Sequence, residues 1–304
     1  MLSAFRSIFI LLLLIAAIPA ENNSASSETK VIVLGIAQDG GIPQIGCTQE
    51  ICRTQHHFVT SLAIISHQAV YLIDATPDLR EEYRGLTSRH PEIVKNNLFD
   101  GIFLTHAHMG HYTGLMFLGK ESISTKNTPV YCGPEMAAFL SNNAPWSLLV
   151  SNKNIELKSF EAGKPIDFGF KIIPLSVPHR KEFTDTYGFL IQGQKKSLLY
   201  IPDIDAWEPV QDSLQQWFRR SDFALLDGTF YSGDELPGRN MRLVPHPTVE
   251  HSISLFQGFP KFQTEIFFTH MNHTNPLLLP GSSQRKALTA AGYKVAVDWQ
   301  EFSL

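Results

Sequence analysis

The chain has 304 residues, 43% of them hydrophobic and 18% charged, which is enough apolar material to bury a full core and excludes disorder as the default state. Its formal net charge is -4, from 25 Lys and Arg against 29 Asp and Glu, and the basic residues are scattered rather than gathered into a stripe. Nucleic acid is therefore not an expected partner, and a small-molecule substrate is.

The amino terminus reads as a secretory signal over residues 1–20: Arg6 is the positive residue, Ile8 to Ile18 the apolar run, and Ala20 the small residue before the cut. An uncleaved anchor is the alternative, since Ile18 is not the small residue that cleavage favours. Residues 21–29 form a polar linker, and residues 30–304 read as a single domain. No later segment is apolar enough to cross a bilayer, so the expected location after cleavage is periplasmic or secreted, away from the membrane. Oligomeric state is not legible.

Beyond the linker, short β-rich runs recur at Val31–Leu34, Leu62–Ile65, Val70–Ile73, Ile102–Leu104, Lys171–Val177, Leu198–Ile201, Phe223–Leu226 and Ile266–Phe268. Helix-compatible stretches lie between them at Pro77–Ser88, Gly133–Ser141, Pro209–Arg219 and Ser282–Ala291. This alternation predicts an α/β protein with layered sheets and helices outside. Several strands run into a residue that can ligate: Asp74, His106, Asp203, Asp227 and His270. Strand ends on one sheet edge converge on a cleft in other α/β folds.

The densest chemistry is Thr105-His106-Ala107-His108-Met109-Gly110-His111. His106 and His108 share a side if the segment is extended, and a turn assisted by Gly110 returns His111 to the same pocket. Three imidazoles this close suit zinc, iron or another borderline metal. Cys132, in a strand-like run, reads as a small buried residue. His67 and His90 read as solvent-facing, and Asp227 as a support for ligands rather than a ligand.

This motif resembles that of the metallo-β-lactamase superfamily, H-x-H-x-D-H with a later glycine, here Gly114. The family's other positions follow in order at Asp74, His179, Asp203 and His270. The resemblance implies a four-layer αββα sandwich. It also implies one or two divalent metal ions, zinc first with iron or manganese as alternatives. His106, His108 and His179 would hold one ion, His111 and His270 would face a second, and Asp203 would bridge them. Gly110 departs from the pattern: it stands where the family has an aspartate ligand, which leaves the second position weaker or empty.

The segment from Leu34 to Cys47, with Gln38-Asp39-Gly40-Gly41 and Pro43-Gln44, is similar to the start of coenzyme PQQ synthesis protein B and its relatives. So are Ala75 to Arg80, His111 to Leu115, Leu226 to Phe230 and His270 to Pro276. The cyclic phosphodiesterase of the carbon–phosphorus lyase pathway has a similar start. In both relatives several cysteines hold a structural zinc. Here only Cys47 and Cys52 lie in that segment, as a disulfide, as free thiols, or sharing a zinc with His56 or His57.

The family chemistry is hydrolysis by a metal-activated hydroxide on an ester-type bond, phosphodiester or lactone among them. Asp203 would steady the nucleophile, and His246 or His273 would protonate the leaving group. His251 is a second-tier candidate. The segments Glu182–Tyr187 and Tyr231–Pro247 are expected walls of the cleft. Iron-dependent oxygenation and metal binding without catalysis are the two other readings.

Overall fold

The structure, a computed structural model, describes residues 28–94, 98–236, 238–240 and 244–304. The signal peptide at 1–20 and nearly all of the linker lie outside the described residues.

Two mixed seven-stranded sheets carry the fold. The first contains β1 (Lys30–Gly35), β2 (Ser61–Ser66), β3 (Ala69–Ile73), β4 (Gly101–Phe103), β5 (Thr128–Cys132) and β6 (Ile155–Ser159) in that order. The second contains β7 (Ile166–Asp167), β8 (Lys171–Ser176), β9 (Tyr187–Gln192), β10 (Ser197–Ile201), β11 (Phe223–Asp227), β12 (Glu265–Thr269) and β13 (Lys294–Val295). The chain then returns to the first sheet, where β14 (Glu301–Ser303) pairs antiparallel with β1.

The period of two along β1 explains the layering. Val31 and Val33 join a core shared with the second sheet, while Ile32 and Leu34 join a separate core on the other face. That outer core is closed by the helices Leu79–Arg89, Pro134–Asn142 and Trp146–Ser151, through Leu79, Leu86, Met136, Leu140 and Trp146. On the second sheet, Gln211–Arg219 buries Leu214 and Phe218, four residues apart on one helical face, and Val249–Gln257 buries Val249 and Phe256. Thr248 caps the latter helix by accepting from the His251 backbone N–H. Helices outside two facing sheets give the α/β sandwich expected from the resemblance.

All eight β-rich runs are strands, with no end shifted by more than one residue. The elements not predicted include β6, β7, β9, β13, β14 and the helices Trp146–Ser151 and Val249–Gln257. One local reading is corrected, at His90, and the open choice at the two cysteines falls to the disulfide. His90 is buried rather than solvent-facing, its ring held between Glu92 at 3.2 Å and Glu301 at 3.0 Å. Cys47 and Cys52 form a disulfide. His57 is taken up by Asp298 at 2.6 Å and Gln55 at 2.9 Å, so it does not share a zinc with them. Among the described residues, no helix is long and apolar enough to cross a membrane.

Candidate metal centre

The parallel strands β3, β4, β10, β11 and β12 deliver Asp74, Thr105-His106, Asp203, Asp227 and His270 toward one edge of the sandwich. Asp74 and His270 both sit in the left-handed region, at φ 70° and 61°, which non-glycine residues adopt at a cost of about 1 kcal/mol or more. That cost is carried at the turns that aim these two side chains.

His106, His108, His179 and Asp203 form one group of facing ligand atoms. His106 Nε2 lies 2.8 Å from His108 Nδ1 and 3.3 Å from Asp203 Oδ2; His179 Nε2 lies 3.1 Å from each of the same two atoms. His108 Nδ1 is 3.8 Å from Asp203 Oδ2. A tetrahedral zinc with bonds of about 2 Å has ligand atoms roughly 3.3 Å apart. The four atoms fit that shape.

The far side of each ring fixes which nitrogen is free. His106 Nδ1 donates to Thr105 Oγ1 at 3.0 Å, and that hydroxyl donates on to Asp74. His111 Nδ1 donates to Asp74 Oδ2 at 2.7 Å. His108 Nε2 donates to Glu182 Oε2 at 3.0 Å, and His179 Nδ1 stands 2.7 Å from Asp205 Oδ1. His270 Nδ1 donates to Thr229 Oγ1 at 2.8 Å, and Thr229 donates to Asp227 Oδ1. Each ring therefore turns its other nitrogen inward, the arrangement typical of ligand histidines backed by carboxylates. The inward Nε2 atoms of His111 and His270, and both Asp203 oxygens, are buried without a hydrogen-bond partner. Unpaired buried polar atoms are costly, and a cation satisfies all of them.

Charge follows the same logic. Burial raises the Asp203 carboxyl, but His246, His270 and His179 hold it well below its usual range. Burial, and then His111, push His106 well below its ordinary value. Burial opposes protonation of His111, but Asp74 outweighs it and takes the ring up to about 9.

Asp74 contacts Thr105 and His111 and, among the described residues, no group of facing ligands includes it, in keeping with an orienting role. Asp227 sits against Asp203, His246 and His270, yet its oxygens already accept from Thr229 and from the Ile204 backbone N–H. His246 donates Nδ1 to Asp227 Oδ2 at 2.9 Å and lies 3.3 Å from Asp203 Oδ1. His246 and His273 line a cavity of about 510 Å³ with Arg180, Phe230, Glu235 and Arg239. The stretch Tyr231–Pro247 supplies much of this wall, although 237 and 241–243 fall outside the described residues. His251 is elsewhere, half-exposed on Val249–Gln257 and paired with Glu208 at 2.7 Å.

The return of His111 differs from the expectation. It is made by one helical turn, Met109–Tyr112, with the His111 N–H on the His108 carbonyl at 2.9 Å, and Gly110 supplies no left-handed residue. Sequence reasoning also passed over Asp39, which the structure groups with His111 and His270. Its only signal was an acidic residue within a glycine-rich turn. Glu182 and Asp205, each standing behind one of these histidines, carried no motif at all.

The sequence model described as the beta-lactamase superfamily domain matches residues 70–292, and the chain belongs to this superfamily, in its metallo-β-lactamase form. More narrowly, it is a protein similar to coenzyme PQQ synthesis protein B. The relative of that name from Bradyrhizobium diazoefficiens is 25% identical over 315 residues, covering 90% of this chain and 99% of that protein. Among solved structures, zinc-bound PqqB from Methylobacterium extorquens matches with a TM-score of 0.76 at 23% identity, over 90% of this chain and all of that one. A diphosphatase of the PhnP family matches at 0.65 and 22% identity, over 91% of this chain and 97% of that one.

Proposed function

We propose that the chain is an exported metal-dependent hydrolase acting on an anionic ester-type bond, with phosphodiesters the leading class. The single observation that carries this is the set of inward-facing histidine nitrogens around the buried Asp203, opening beside a cavity that holds two arginines. In this reading His106, His108, His179 and Asp203 hold the first ion, and His111 and His270 face the second across Asp203. Zinc is the first choice for this nitrogen-rich set, with manganese or iron as alternatives. Bound metal supplies water that is activated near neutral pH and polarises the bond to be cleaved.

The remaining work falls to the chain itself. Asp203 lies between the histidine groups, where it orients the attacking water. Arg180 and Arg239 supply positive charge for an anionic substrate, and the Arg180 Nε is buried without a hydrogen-bond partner. His246 and His273, on the cavity wall, are the groups placed to give a proton to the leaving oxygen. Residues 30–304 act as one unit, since ligands come from both sheets. The disulfide supports export, because such bonds persist in oxidising compartments. The similarity to a diphosphatase supports a phosphate-bearing substrate.

The test is metal analysis of protein purified without added metal, then turnover of phosphodiester, lactone and β-lactam substrates. The expected outcome is metal-dependent cleavage of a phosphodiester, at least 100-fold reduced in His179→Ala with loss of one ion. Iron with oxygen consumption would replace hydrolysis by oxygenation, and tight metal without turnover would replace it by a binding role.

A further inference from the structure

Asp39 and Gly110 touch in a way that only one arrangement of side chains allows. The Gly110 N–H donates to Asp39 Oδ1 at 3.1 Å, and the same oxygen lies 3.5 Å from His111 Nε2. A Cβ at residue 110 would meet that oxygen at 2.4 Å and the Asp39 Cα at 2.7 Å. A side chain at 110 and the Asp39 carboxylate therefore exclude each other.

We infer that Asp39 is the carboxylate ligand of the second metal position, entering from the amino-terminal loop over Gly110, with His111, His270 and Asp203 completing the set. This rests on the proposed metal centre and deepens it. The ligand atoms of Asp39, His111 and His270 lie within 4.8 Å of one another. The two histidines are fully buried, and their inward Nε2 atoms have no other partner. Asp203 Oδ2 stands 3.9 Å from His270 Nε2, close enough to share an ion with them.

The loop that carries Asp39 is pinned beside these ligands. The Gln38 N–H bonds the Met271 carbonyl at 2.9 Å, and the Met271 N–H bonds the Ile36 carbonyl at 2.8 Å, tying the loop to the residue after His270. The Gly41 N–H closes the turn on Gln38 at 2.8 Å, and Gly41 at φ 64° takes the left-handed conformation that glycine adopts without strain. A carboxylate delivered this way supplies the hard anionic oxygen that two imidazoles lack, and it makes the position favour a divalent ion.

Two variants test the assignment: Asp39→Asn and Gly110→Ala. Each is loaded with zinc, dialysed and read by elemental analysis, with chelator competition for the affinity of each ion and thermal melting to confirm folding. Wild type is expected to hold two ions. Asp39→Asn keeps the acceptor for the Gly110 N–H, yet should hold one ion tightly and bind the second at least tenfold more weakly. Gly110→Ala, which changes no polar group, should do the same by displacing the carboxylate. Two tightly held ions in Asp39→Asn, or a wild type with only one, would overturn the role of Asp39 while leaving the metal centre standing. A wild type that binds no zinc would remove both.

Discussion

At the scale of single residues, the site is surrounded by buried carboxylates with different tasks, and Glu82 is the one that touches no ligand. Its side chain is fully buried; Ser61 and Thr76 each donate a hydroxyl to Oε1 at 2.8 Å, and Oε2 has no partner. Burial outweighs those two hydrogen bonds and pushes the carboxyl up to about 8. A carboxyl raised in the folded state binds a proton that the unfolded chain has already released, so the sign is the reverse of a salt-bridged Asp. Stability contributed by Glu82 is fully present below the unfolded value of 4.5 and is lost as pH rises from there through about 8. A tenfold difference in proton affinity between the folded and unfolded chain corresponds to about 1.4 kcal/mol, so the loss amounts to a few kcal/mol at most. Glu82→Gln cannot titrate. In chelator, with urea unfolding measured at pH 5, 6, 7 and 8, the difference in stability between Glu82→Gln and wild type should move steadily in favour of the variant as pH rises. A difference independent of pH would show that Glu82 is ionised in the folded protein.

At the scale of elements, Gly114 fixes how the histidine turn sits on the segment that leaves β3. The Ala75 N–H bonds the His111 carbonyl at 2.9 Å, and the Gly114 N–H bonds the Ala75 carbonyl at 2.9 Å. A Cβ at 114 would lie 2.1 Å from the Thr76 carbonyl oxygen, a backbone atom that cannot rotate away. Gly114→Ala is therefore expected to cost at least about 2 kcal/mol in urea unfolding and to weaken zinc binding through His111. A variant within about 0.5 kcal/mol of wild type would mean that this approach is not held in solution. His106, His108 and the strand-end candidates were legible in the sequence because strands ending in a residue that can ligate, and a tight histidine cluster, are local patterns, and Gly114 was legible from the family motif. β9 was not predicted although it is buried along nearly its whole length, because Tyr187-Gly188-Phe189 opens it with a glycine that admits the Tyr200 carbonyl and the Ile201 side chain. Asp39 was beyond local reasoning for a further reason. Its role depends on a contact across 71 residues with a glycine whose importance is the side chain it lacks. Glu182 and Asp205 reach their histidines by the same kind of long-range packing.

At the scale of the whole molecule, the proposed ligands divide between the sheets. His106, His108 and His111 follow β4, and Asp39 follows β1; His179, Asp203 and His270 follow β8, β10 and β12 in the facing sheet. Metal bound among them ties the two sheets at one edge, where buried polar atoms otherwise face one another without partners. An ion that binds only the folded chain stabilises it in proportion to the logarithm of its free concentration, about 4 kcal/mol at a thousand times the dissociation constant. For a domain of this size each kcal/mol raises the melting temperature by roughly 2–4 °C. Thermal melting in zinc buffers that span three decades of free ion should therefore climb by about 10 °C from chelated to saturated protein. His179→Ala should remove most of that rise, because it deletes a ligand of the first ion contributed by the second sheet. Glu82→Gln should retain the rise, since Glu82 contacts no ligand. A melting temperature indifferent to free zinc would mean that the two sheets hold together without the ion, and the histidine nitrogens at their shared edge would need another partner.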